Sequence, residues 1–283
     1  MKLSLCNEVL AHLSFAEQCR FIKDIGCDGI EIAPFTLIGD PATLTEKDAK
    51  EHLKIARDHG LEISSLHWLM VKPDGLSIST PDRKVWQKSV AFLEHMIDFA
   101  AACEAPILVH GSPKQRSPIA GQSTEDALQR ATEAWAKLAR KASAASLTYC
   151  IEPLSRLETS VINTLSEAAA IVDQIKSPAL RTMLDLSSCA NTEIQSPQVL
   201  ARQYLASKHI AHVQVNDKNR QGPFQGDTPV RPLLQSLIDA NYTGWIAIEP
   251  FVYSPTPEGC AAFCASHCRS TITELQNQTT KSP

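Results

Sequence analysis

The stretch LTYCIEPLSRLET (147–159) sets the reading of the whole chain. Its first five residues are apolar or nearly so. A carboxylate, Glu152, stands where the run stops, and a second, Glu158, follows six residues on. A short continuous apolar run is how a strand buried on both faces appears. The same form recurs as LSLC (3–6), GIEIA (29–33), EISSLH (62–67), PILVH (106–110), LTYCIE (147–152), RTMLD (181–185), IAHVQV (210–215) and GWIAIE (244–249). Amphipathic helical stretches separate these runs. Ser14 with Glu17, and Thr164 with Glu167, have the spacing of capping boxes. Thr80 before Pro81 predicts a cap followed by proline at the first helical position. Gly26 and Gly60 fall where helices stop.

Eight strands alternating with eight helices imply a parallel sheet. Eight units in 283 residues fit a closed barrel, so the expected fold class is α/β, a single-domain (β/α)8 TIM barrel. A doubly wound open sheet is the alternative, but no glycine-rich phosphate fingerprint follows the first strand. The barrel is expected over residues 1–276, with a flexible C-terminal tail over 277–283.

Composition narrows the function classes. The chain is 43% hydrophobic, with 27 basic against 31 acidic residues and a net charge of −4. No basic block marks a nucleic-acid partner. No run approaches the roughly 20 apolar residues of a membrane span. The first residues, MKLSLCNEVLAHLSF, lack the pattern of a secretory signal. The nine cysteines include no CxxC pair. Cys6, Cys150 and Cys189 lie in or beside apolar runs, and Cys260, Cys264 and Cys268 share one face of a helix. Together they read as buried thiols of a reduced, cytoplasmic protein.

In such a barrel the active site forms at the C-terminal ends of the strands. Strand five ends at Glu152, strand six at Asp185 and strand eight at Glu249, and strand seven carries His212. Three crowded carboxylates repel one another and resist desolvation, and a divalent cation resolves both problems. Two Glu, one Asp and one His make an oxygen-rich set that leans to Mn²⁺ or Mg²⁺, with Co²⁺ and Zn²⁺ as alternatives. Glu31 lies in strand two. His67 and Trp68 end strand three, and His110 ends strand four. Arg116 and Lys114 follow in the next loop. NDKNRQGPFQGD (216–227) follows strand seven as a polar loop placed to hold hydroxyls. Trp68 and Phe251 are candidates to cover the apolar face of a sugar ring.

With these residues in place, the chain resembles the xylose-isomerase-like (β/α)8 superfamily. Within it the likeness is to ketose 3-epimerases of the D-tagatose and D-psicose 3-epimerase type. The most specific piece is IEPLSRLET (151–159), similar to the family run E-P-L-N-R-x-E-T with Ser155 in place of Asn. Asp185, the His212 of HVQ and the ending GWIAIEPF (244–251) support it. The resemblance implies one cation per chain held by Glu152, Asp185, His212 and Glu249. It implies Glu152 and Glu249 as paired acid/bases on opposite faces of the substrate, Glu158 on a sugar hydroxyl, and Arg220 as the substrate-binding arginine. It also implies a homo-oligomer, dimer or tetramer. One departure stands out: the epimerases carry a histidine three residues after the strand-six Asp, and this chain has Ser188 there.

The implied chemistry is proton abstraction next to a carbonyl through an enediolate, with two bases giving inversion at C3 of a ketose or keto-polyol. A dehydratase of the inosose or dehydroshikimate type would use the same cation and base. An endonuclease IV-like hydrolase would need two further ligands where Ser188 and Pro229 stand, and a sugar-binding barrel without activity would not need the acid/base pair. No glycine-rich phosphate loop follows strand eight, which favours an unphosphorylated sugar.

Overall fold

The computed structural model describes residues 1–279. Eight parallel strands close on one another in sequence order. They are β1 (Lys2–Cys6), β2 (Gly29–Ile32), β3 (Glu62–Leu66), β4 (Ile107–His110), β5 (Thr148–Ile151), β6 (Leu180–Asp185), β7 (Ile210–Val215) and β8 (Trp245–Ile248). β8 returns to pair with β1, with Leu5 opposite Ile248. No edge is left unpaired, which removes the main aggregation hazard of an open sheet. All eight match the apolar runs of the sequence to within a residue or two.

The outer ring holds α1 (Phe15–Asp24), α2 (Glu46–Asp58), α3 (Arg83–Ala102), α5 (Thr124–Ala144), α6 (Leu165–Ile175), α8 (Pro197–Ala206), α9 (Val230–Asp239) and α10 (Pro257–Thr279). Two short helices, α4 (Pro113–Arg116) and α7 (Leu186–Thr192), lie in the loops after β4 and β6. Both expected capping boxes form, at Ser14 and at Thr164. The cap expected at Thr80 moves two residues on. Asp82 caps α3, its Oδ1 accepting from Lys84 N and Val85 N, while Thr80 Oγ1 accepts from Asp82 N one turn earlier. Helix α10 runs to Thr279, so residues 277–279 of the expected tail are helical, and 280–283 lie outside the described residues.

The main core fills the layer between sheet and helices, where Leu3, Ile30, Leu66, Trp86, Trp135 and Leu233 are fully or almost fully buried. A second cluster packs Ile107, Val109, Cys150, Met183 and Trp245 together inside the barrel. Strand residues alternate between the two faces. The inward series therefore continues upward from this apolar plug: Cys150 leads to Glu152, Met183 to Asp185, and Trp245 through Ala247 to Glu249. All nine cysteines are buried and free. No described helix is long and apolar enough to cross a membrane.

Candidate active site

Glu152 follows β5, Asp185 closes β6 and Glu249 follows β8. The parity just described turns all three inward at the same end of the barrel. One oxygen from each lies within 4.8 Å of the others, and the three residues are 8%, 3% and 3% exposed. Each is held in place by its own partners. Asp185 caps α7, with Oδ1 accepting from Ser188 N at 2.7 Å and Oδ2 from Asn216 Nδ2 at 2.7 Å. Asn216 Oδ1 in turn accepts from Ser187 N at 2.7 Å. Glu249 Oε1 accepts from Trp68 Nε1 at 3.1 Å and meets His67 Nδ1 at 3.1 Å. Trp68 reaches it from a left-handed backbone, φ 51°, a conformation uncommon for a bulky residue. Glu152 lies against Gly111, where a Cβ would overlap Oε2 and come within 3.2 Å of the carboxyl carbon. A glycine after β4 is therefore what leaves room for this acid.

The electrostatics follow from burial and like charge. Burial, then Glu249 and Asp185, push the Glu152 carboxyl well above its usual range. Burial also pushes Glu249 up to about 8, against the hydrogen bond from His67. Burial raises Asp185 to about 6 despite its hydrogen bonds to Ser188 and Asn216. Three carboxylates that resist ionising together form a strained group unless a positive charge joins them. Their oxygens, gathered at this spacing, suit a hard divalent cation.

His212 is not part of this group. Its place in β7 is opposite Met183, one inward layer below Asp185, and its Nε2 lies 3.0 Å from Glu31 Oε1 with both residues fully buried. The inward residue level with Asp185 is Gln214. Burial pushes Glu31 up, but His212 and His67 pull its carboxyl far below the ordinary range. It is thus a buried anion held between two imidazoles, with Cys6 Sγ at 2.8 Å and Ser65 Oγ at 2.8 Å. His212 and Gln214 are both inward residues of β7, and the β6–β7 register sets which of them is level with Asp185.

The other predicted contacts divide in two. Glu158, Trp68, Ser188 and Arg220 line the cavity that opens above the carboxylates, together with Lys218, Asn191 and Phe251. Arg220 stacks its guanidinium 4.6 Å from the Phe251 ring centre, and Phe251 meets Trp68 edge-on at 6.2 Å. His67, His110 and Arg116 lie outside the cavity lining. His67 has both nitrogens occupied, Nδ1 by Glu249 and Nε2 by Glu8 Oε2 at 3.0 Å, so it orients Glu249. Burial lowers its pKa, but Glu8 and Glu31 raise it well above the usual value.

His110 is fully buried under the site. Its Nδ1 accepts from Tyr149 OH at 2.7 Å and Trp135 Nε1 at 3.3 Å. Burial, then Arg116, lower its pKa to about 3, which keeps it neutral. Arg116 is fully buried and donates to the carbonyls of His110, Glu152 and Ile162 at 3.2, 2.7 and 3.4 Å. It fastens the β4 and β5 loops, and its guanidinium is spent on backbone. The loop after β4 folds back under the barrel mouth, so a basic residue that looked solvent-facing in sequence is enclosed. A groove of about 940 Å³ lies on the outer wall between α5 and α6. It is open and holds none of the strand-end acids, so the chemistry belongs to the smaller cavity.

A closed parallel barrel with acids collected at the C-terminal strand ends has the architecture of a (β/α)8 enzyme. The profile of the family described as xylose isomerase-like TIM barrel matches residues 19–263, and the chain belongs to that family. It is 29% identical over 232 residues to a probable ketose 3-epimerase of Synechocystis sp., covering 81% of this chain and 76% of the relative. It is 26% identical over 179 residues to a D-psicose 3-epimerase of Ruminiclostridium cellulolyticum, covering 62% and 60%. Among solved structures, a D-psicose 3-epimerase crystallised in the presence of D-fructose superposes with a TM-score of 0.82 over 96% of this chain and 99% of that one, at 20% identity.

Proposed function

We propose that this chain is a divalent-cation-dependent epimerase that inverts C3 of an unphosphorylated ketose. The observation that carries the reading is the trio Glu152, Asp185 and Glu249, three buried acids from three strands within 4.8 Å of one another. The ketose epimerase relatives named above point to the substrate class. Glu152, Asp185 and Glu249 would hold the cation, Mn²⁺ or Mg²⁺ by the hardness of their oxygens. When bound, the cation would act as a Lewis acid toward the substrate carbonyl and offset the charge that develops next to it.

The residues of the chain do the proton work. Glu152 and Glu249 come from β5 and β8, on different sides of the mouth, so a substrate between them presents opposite faces to the two acids. One removes the proton beside the carbonyl and the other returns a proton to the far face, which inverts the carbon. His67 and Trp68 fix Glu249 through Oε1, which leaves Oε2 without those partners. Arg220, Phe251 and Trp68 form one wall of the cavity, and Glu158 and Ser188 add polar groups on the β5 and β6 side. The hydroxyl of Ser188 offers the substrate a short neutral partner.

The test uses chelator-stripped protein reloaded with Mn²⁺, incubated with free ketoses in heavy water. Deuterium at C3 of both epimers, with no loss of water in the mass spectrum, is the expected result. Glu152→Gln and Glu249→Gln should each lower turnover by at least about 10²-fold with unchanged folding. Near-full activity in either variant would refute the two-base scheme, and a product lighter by one water would identify a dehydratase.

A further inference from the structure

Glu249 is fastened at one oxygen, and the fastening continues outward. Its Oε1 meets His67 Nδ1 and Trp68 Nε1, each at 3.1 Å. The other nitrogen of the imidazole, Nε2, lies 3.0 Å from Glu8 Oε2, its one hydrogen-bond partner among the described residues. The path Glu249–His67–Glu8 thus leads from the cavity to a residue outside its lining. The His67 side chain is 1% exposed and that of Glu8 13%. Glu8 belongs to the turn Asn7–Leu10 that follows β1, and this turn is built to keep still. Asn7 is fully buried. Its Oδ1 accepts from Ala33 N at 2.8 Å, and its Nδ2 donates to Gln18 Oε1 at 3.1 Å and to Thr36 Oγ1 at 2.7 Å. Val9 and Leu10 anchor the turn in the core. Glu8 Oε1 is also buried, with no hydrogen-bond partner among the described residues. A carboxyl enclosed with one oxygen unsatisfied weakens the fold, and its presence calls for another reason.

Resting on the reading of Glu249 as a cation ligand and acid/base, we propose that Glu8 is a positioning residue for that acid. By accepting from His67 Nε2, it holds the imidazole with Nδ1 toward Glu249 Oε1 and so leaves Oε2 to the site. The ring itself shows why a second contact is needed. A half-turn of an imidazole exchanges Nδ1 with Cδ2 and Nε2 with Cε1, so a ring without a partner at Nε2 can turn a carbon to Glu249. The hydrogen bond at one nitrogen decides what the other nitrogen does. The neighbouring polar groups cannot take this part. Cys6 Sγ and Ser65 Oγ are both bonded to Glu31, and Gln214 Nε2 lies on the Nδ1 side of the ring, at 3.5 Å. Glu8 does not touch the substrate cavity, so its effect on the reaction passes through His67.

The experiment uses full-length protein stripped with chelator and three variants of Glu8. The ring nitrogens of His67 are read by NMR without cation, Mn²⁺ affinity by calorimetry, and kcat and KM on the ketose that wild type accepts. Wild type should show a slowly exchanging proton on His67 Nε2. Glu8→Ala should lose that protection and weaken both Mn²⁺ binding and kcat by about 10–100-fold, with KM within about threefold of wild type. Glu8→Asp keeps the acid but ends one methylene short of Nε2, and it should behave as Glu8→Ala does. Glu8→Gln keeps an acceptor at the same reach, and it should recover Mn²⁺ affinity and kcat to within about threefold of wild type. A role confined to holding the fold would move the melting temperature and leave affinity and kcat alone. An unprotected Nε2 proton in wild type overturns the proposal even if every variant fails to fold. So does wild-type affinity and turnover in folded Glu8→Ala or Glu8→Asp, or a folded Glu8→Gln as impaired as Glu8→Ala. If wild type binds Mn²⁺ but epimerises no ketose, the epimerase reading falls, and the loss of affinity in Glu8→Ala still upholds the positioning role. No Mn²⁺ binding by wild type overturns both.

Discussion

Gly111→Ala separates folding from catalysis at one atom. A Cβ at this position would overlap Glu152 Oε2 and lie 3.2 Å from its carboxyl carbon. Ordinary carbon–oxygen contacts begin at about 3.3 Å, so Oε2 must retreat by about 1 Å. The displaced atom is the end of a flexible side chain, and the backbone of Gly111 is not in the left-handed region. The barrel should therefore absorb the change at little cost. The carboxylate cannot, because a reacting group displaced by about 1 Å loses on the order of 10²-fold in rate. The expected outcome is turnover reduced by about 100-fold with a melting temperature within about 2 °C of wild type. Initial rates on the ketose that wild type accepts, followed by chromatography of the two epimers, provide one readout, and scanning calorimetry provides the other. A folded variant with turnover within threefold of wild type would show that Glu152 has no exacting position, and the acid/base role would fall with it.

Two further outcomes follow from the same geometry. Glu249 and Asp185 are held at about 8 and about 6, chiefly by burial, above the usual carboxylate range of about 4. The folded protein keeps protons that the unfolded chain releases, so cation-free protein should lose stability as pH rises from about 4 to about 8. Melting curves in chelator at pH 5 and pH 8 check the sign, added Mn²⁺ should restore more at pH 8, and a flat or rising profile in chelator would count against the buried-acid account. Arg116→Met removes the guanidinium that donates to the carbonyls of His110, Glu152 and Ile162. The carbonyls of His110 and Ile162 keep the backbone donors Glu152 N and Leu154 N, so the loss falls on the Glu152 carbonyl and should cost about 1–3 kcal/mol, a drop of roughly 2–12 °C in melting temperature, and an unchanged transition would show that water replaces the arginine.

Much of this architecture was legible because strands buried on both faces announce themselves as unbroken apolar runs. The acids that stop those runs, Glu152, Asp185 and Glu249, could be read for the same reason. What escaped was depth. His212 and Gln214 both point inward, and a period of two cannot say which of them shares a layer with Asp185; the stagger of β6 against β7 decides it. Direction in the loops escaped as well. Arg116 looked like a substrate contact because it follows β4 in a polar loop, yet the short α4 turns it back into the barrel wall. His110 ends its strand as expected, but Tyr149 and Trp135 hold it below the mouth. Gly111 could be flagged only once the neighbouring acid was seen against it.

The burial of every thiol gives the molecule an internal alarm. Cys6 lies beside the Glu31 layer, Cys260, Cys264 and Cys268 lie along the inner face of α10, and the remaining five are spread through the rest of the core. A thiol-reactive dye added to the native protein should stay colourless until a part of the barrel opens. The order in which cysteines become labelled would then map, residue by residue, where the closed ring of strands first comes apart.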